Sequence, residues 1–183
     1  ITVASRIDTY TASSLGYTDT YTVTGLVAGD SLTAVSYGFT GVANDGTNFS
    51  LAPRPAIAGV YQIIPIYTLA NAASYESVTV INGQLTINRK LRTTTITSTL
   101  TSLKYGDTST ITANVSEGTS DGVVSFATST PSLCAFSGAN LQALDATGTC
   151  AYTATMGRGN NYETATSSSS TASLALADTV TVT

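Results

Sequence analysis

Apolar and polar residues alternate with period two along almost the whole chain. Thr18, Thr20, Thr22 and Thr24 interleave with Asp19, Tyr21 and Val23; Thr108, Thr110 and Thr112 interleave with Ser109, Ile111 and Ala113 as far as Val115. Alternation with β-branched hydroxyl residues on one side is the mark of a half-buried strand. The same reading predicts strands over residues 31–37, 60–66, 77–81, 84–88, 123–128 and 150–156, and from Ala172 onward as far as Thr183. A further row, Thr93, Thr95, Thr97, Thr99 and Thr101, reads as the outward face of one more strand. Turn chemistry separates these runs at Gly29-Asp30, Asn44-Asp45-Gly46, Gly106-Asp107, Asp121-Gly122 and residues 157–161. Asn82-Gly83, set between two alternating runs, predicts a two-residue hairpin. Residues 68–77 alone leave room for a helical turn. Strands at intervals of roughly 8–12 residues predict an all-β chain of sandwich type.

Arg89, Lys90 and Arg92 interrupt the pattern and read as a solvated junction. They predict two tandem small β-domains, residues 1–90 and 91–183, each the size of one sandwich module. The second reads as a sandwich of Ig-like size. The first reads as a sandwich or a β-grasp-type sheet, because of the possible turn within 68–77.

Composition narrows the chemistry. Only 10% of residues are charged, against about 25% in an ordinary domain, and 35 Thr and 22 Ser make up the polarity. Histidine is absent, which excludes imidazole as a proton shuttle or metal ligand. A net charge of −4 with 7 basic residues excludes a nucleic-acid footprint. Apolar runs are too short to cross a bilayer as a helix, so no membrane insertion is expected. The aspartates are scattered, without the converging oxygens of a calcium site or the facing carboxylates of a glycosidase. No catalytic residue and no cofactor is expected, and the chain reads as non-enzymatic.

Cys134 and Cys150 read as one structural disulfide in an oxidising, extracellular setting, or as two inert buried thiols. Two thiolates alone cannot complete a tetrahedral metal site. Asn48-Phe49-Ser50 and Asn114-Val115-Ser116 match the N-glycan sequon, and residues 167–171 are a hydroxyl run open to O-linked glycans. Plain solvated loops are the simpler reading of all three.

Two stretches resemble modules of bacterial surface proteins. Tyr21-Thr22-Val23-Thr24-Gly25-Leu26-Val27-Ala28-Gly29-Asp30-Ser31-Leu32, followed by Ala58-Gly59-Val60-Tyr61-Gln62-Ile63-Ile64-Pro65 and residues 77–87, resembles the MBG repeat over about residues 19–88. The opening of that repeat has no counterpart before residue 19. Lys104-Tyr105-Gly106-Asp107, residues 110–115, Gly122-Val123-Val124-Ser125-Phe126, Gly148-Thr149-Cys150 and Asn161-Tyr162 resemble a bacterial Ig-like repeat over about residues 93–177. That likeness implies that Cys134 and Cys150 lie on neighbouring strands. It also implies an extracellular or cell-surface protein, with no catalytic residues to carry over.

The ends are strong β formers: Ile1, Thr2 and Val3 at one, Thr179, Val180, Thr181 and Val182 at the other. Ile1 reads as a processed end or as a residue within a longer protein. Either segment is expected to serve for strand complementation of a neighbouring subunit. The expectation is therefore a self-assembling subunit of a filament, sheath or surface layer, associating through strand edges or terminal strands. The alternative is a stalk or spacer of a large adhesin.

Overall fold

The computed structural model describes residues 1–12 and 18–180, and the chain is all-β. The sole helical element among the described residues is a 3-10 turn at Ala72–Ser74, inside the window that had room for one. Two compact units form, Ile1–Lys90 and Leu91–Thr183.

The first unit contains β1 (Thr2–Val3), β2 (Arg6–Thr9), β3 (Tyr21–Thr22), β4 (Leu32–Ala43), β5 (Asn48–Ala52), β6 (Gly59–Leu69) and β7 (Gly83–Asn88). Five of them form one sheet in the order β2-β7-β6-β4-β5, with β2 parallel to β7 and the other pairs antiparallel. Asn44-Asp45-Gly46 makes the expected turn from β4 to β5; the Thr47 amide donates to the Asp45 carboxylate at 2.9 Å. Pro65 is tolerated in β6 because it lies beyond Ile63↔Gly83, the last β6–β7 pair, where β6 has become an edge. One face of the sheet is buried through Phe39, Tyr61, Ile63, Leu85 and Ile87, with Val3 and Ala58 packed onto it. The Tyr61 hydroxyl donates to the Ile57 carbonyl at 2.7 Å.

Two expectations fail here. Residues 18–24 contribute only β3, and residues 77–81 form no strand beyond an isolated bridge between Thr2 and Ile81. Asn82-Gly83 is consequently not a hairpin turn. The Ile81 amide donates to Ile1 at 2.8 Å and the Val3 amide donates to Ile81 at 3.0 Å, so 77–81 lies against the start of the chain. β7 meanwhile enters the sheet between β2 and β6. Glycine stands at 83 because a Cβ there would lie 2.6 Å from the Ala4 carbonyl oxygen. Gly83→Ala is therefore expected to cost about 1–3 kcal/mol, the usual range for overpacking, read as an earlier thermal transition of the first unit.

Burial pushes the Tyr61 phenol up to about 12, with a smaller push from Asp45. An unfolded tyrosine titrates near ~10. The stability this contributes is whole below pH ~10 and is lost as pH rises through about 12. Alkaline titration followed by circular dichroism should show the loss in that window, and Tyr61→Phe should shrink it, leaving what the Tyr37 and Tyr152 phenols, also raised by burial, contribute.

The second unit contains β8 (Thr94–Ile96), β9 (Ser102–Lys104), β10 (Thr108–Thr110), β11 (Ala113–Val115), β12 (Val124–Thr128), β13 (Cys134–Ser137), β14 (Asn140–Ala143), β15 (Thr149–Met156), β16 (Ala165–Thr166) and β17 (Ser170–Ala175). One sheet runs β12-β15-β17-β9 with β16 beside β15; another runs β10-β14-β13, and β8 pairs with β11. Leu103, Ile111, Leu141, Tyr152, Ala172 and Leu174 fill the core between them.

Residues 108–115 are not one strand. The chain breaks at Ile111, which is buried, and β10 pairs with β14 while β11 pairs with β8. The threonine row at 93–101 is exposed as expected, although only Thr94–Ile96 is hydrogen-bonded strand. The last strand ends at Ala175 rather than running to the terminus. Both sequons lie in strands, Asn48 on β5 and Asn114 on β11, rather than in loops. Ser167 is buried, accepting from the Ala154 amide at 3.0 Å, so the hydroxyl run is not a uniform solvated loop.

Candidate functional site

The covalent feature of the second unit is the Cys134–Cys150 disulfide, with Cα atoms 5.9 Å apart and both residues fully buried. The two cysteines do not sit on hydrogen-bonded neighbours. Cys134 is on β13 and Cys150 on β15, in different sheets, so the bond crosses the core from one sheet to the other. The Thr128 hydroxyl lies 3.1 Å from the Cys134 sulfur and donates to the Ala151 carbonyl at 2.9 Å, tying β12 to the same spot.

Arg92 departs most from the sequence reading. It is not solvated; it is 7% exposed, while its neighbour Leu91 is 78% exposed. Its guanidinium donates to four backbone carbonyls: Glu163 at 3.0 Å, Gly118 at 2.9 Å, Asp121 at 2.8 Å and Gly157 at 2.5 Å. The Tyr162 ring stacks on it, 5.4 Å from Cζ to the centroid. The Asp121 carboxylate completes the arrangement by accepting from the amides of Asn160 at 2.6 Å, Asn161 at 2.7 Å and Tyr162 at 3.2 Å. Gly118 has φ +63°, and a Cβ there would lie 2.4 Å from the Tyr162 ring. One cation and one anion thus fasten the loop after β11 to the loop after β15. The sequence signals were the last arginine of a basic cluster that interrupts the alternation and two glycine-containing turns, which pattern alone does not join.

Asp8, Asp19 and Asp178 pair with Arg6, Arg54 and Lys104, while Asp45 and Asp145 serve turns. Asp145 accepts from the amides of Ala146 at 2.6 Å and Thr147 at 3.1 Å. Burial would raise the Asp30 carboxyl, but hydrogen bonds from Tyr75, the Ser31 amide and Asn71 hold it below the usual carboxylate range. Among the described residues, no three His, Cys, Asp or Glu side chains converge as a metal site would require. A groove of about 230 Å³ in the first unit is walled by Val23, Leu26, Leu32, Leu69 and Val78. Tyr75 lines it too, its hydroxyl accepting from the Val27 amide at 2.9 Å.

The proposed donor segments fare differently. Thr2 and Val3 pair with Thr22 and Tyr21, and Val3 is 3% exposed. Ile1 and Val3 also bond to Ile81, so this strand is held on both sides within its own unit. Thr179 and Val180 lie outside any strand, and Val180 is 85% exposed. Thr181 and Val182 fall outside the described residues. Asp178, beside them, forms an exposed ion pair with Lys104.

No protein-family model matches the chain, and no curated protein matches it.

Proposed function

We propose that the chain is a non-enzymatic extracellular structural protein, a self-assembling subunit of a filament, sheath or surface layer. In this reading an MBG-like module precedes a bacterial Ig-like module. The observation that carries it is the placement of exposed aliphatic residues on or beside edge strands of both units. Ile7 on β2 and Leu51 on β5 are 73% and 57% exposed, and Val123, just before β12, is 77% exposed. Open strand edges bearing apolar side chains are sites of pairing with another chain. The buried cross-sheet disulfide supports an oxidising location. Donation to a neighbour falls to the segment around Thr179 and Val180, because Ile1, Thr2 and Val3 already hold their partners.

Negative-stain electron microscopy of the protein taken from its native cell surface tests this. Regular filaments, tubes or lattices are expected. Isolated monomers at assembly concentrations would overturn the reading and leave the spacer of an adhesin in its place.

A further inference from the structure

We infer that the outward face of the first unit's five-stranded sheet is a contact surface on which two copies of this chain pack face to face. The inference rests on the self-assembly reading above and adds to its strand-edge contacts a second, two-fold contact, which alone would close at a dimer.

Among the described residues this face is open. Ile7, Leu51, Val42, Val60 and Ile66 are 73%, 57%, 59%, 52% and 49% exposed. Register places four of its positions in one row: Val42 opposite Val60, Val60 opposite Thr86, and Thr86 opposite Ile7. Residues directly opposite each other share a face, so Val42, Val60 and Ile7 lie in one row from β4 to β2, with Thr86 between the last two.

Strand β2 is inverted relative to an ordinary exposed edge. Its isoleucine points out, while Arg6 and Asp8 stand opposite the buried Leu85 and Ile87 and ion-pair with each other at 2.9 Å. Those two are the only charged residues in the five strands. The outward face therefore carries no charge at all, the depletion that marks the core of an interface. Leu51 adds to it. At φ +51° its backbone is in the left-handed region, unfavourable for a leucine, and its side chain covers Gly38 on this face.

Size and symmetry select the occupant. With strands about 4.8 Å apart and rising about 3.3 Å per residue, the face measures roughly 25 by 25 Å. Two such faces together remove about 1,200 Å² from water, the lower end of stable specific interfaces. The face is uncharged, with a polar row of Thr40, Gln62 and Gln84 beside the aliphatic one, so it carries nothing that repels its own copy, and a two-fold contact requires only that the patch be self-complementary.

The test compares the protein from its native cells with Val60→Lys, Ile7→Lys and, as a control on the second unit, Thr99→Lys, by sedimentation and microscopy. Circular dichroism checks that each variant is folded. Both face variants are expected to weaken association at least tenfold, with Thr99→Lys unchanged. Assembly by the folded lysine variants at wild-type strength would overturn this inference and leave the structural function standing. A wild type that stays monomeric would overturn both. A glycan found by mass on Asn48, which stands opposite Val42 in the same row, would also overturn it, because sugar rather than a second copy would cover the face.

Discussion

Replacing Arg92 with alanine is expected to remove roughly 3–5 kcal/mol from the stability of the second unit. Hydrogen bonds from a charged donor are worth about 1.5–3 kcal/mol each. The four carbonyl bonds share one side chain and are not additive, so their sum is discounted to that range. The loss is large against a total of about 5–14 kcal/mol for a domain of this size. It arises because the carbonyls of Gly118, Asp121, Gly157 and Glu163 face inward around the guanidinium, and alanine leaves them without a donor. Arg92→Lys should recover at most about half, because a single ammonium lacks the planar fork that reaches several acceptors at once. Urea unfolding followed by tyrosine fluorescence measures this directly in a chain with no tryptophan. A loss below about 1 kcal/mol for the alanine variant would show that the clamp contributes little.

Removing the disulfide by the double change Cys134→Ala and Cys150→Ala is expected to cost about 3 kcal/mol, the chain-entropy value for a loop near 15 residues. At about 4–8 °C per kcal/mol for a domain of this length, the second unit's transition should fall by roughly 12–24 °C. Calorimetry should show the first unit's transition unmoved, since both cysteines lie in Leu91–Thr183. Alanine is the informative substitute. Serine would place two hydroxyls where both residues are fully buried, adding a desolvation penalty to the loss of the bond.

The all-β class was legible because period-two alternation is set locally, residue by residue, and β4, β6, β12 and β15 all fall on it. The Asn44-Asp45-Gly46 turn was legible for the same reason: its hydrogen bonds close within the segment. What escaped depends on partners distant in sequence. Residues 77–81 have strand composition, but their backbone meets Ile1 and Val3 almost eighty positions away, so Asn82-Gly83 had no hairpin to turn. Residues 108–115 alternate without a break, yet the buried Ile111 moves the chain from one sheet to another. The cysteine pair was visible from counting, whereas its path across the core was not. Arg92 looked like a surface charge because hydropathy prices an arginine by its head group. It does not register that four carbonyls and a tyrosine ring elsewhere in the chain can replace water around it.

In each unit a strand near the beginning lies parallel to the last one: β2 beside β7, and β9 beside β17. Tension applied along the chain draws the two members of such a pair in opposite directions along their common axis. The hydrogen bonds between parallel strands are evenly spaced, so the load falls on all of them together instead of opening them in turn. Each unit thus closes on a shear joint, the geometry that resists pulling best for a given number of bonds.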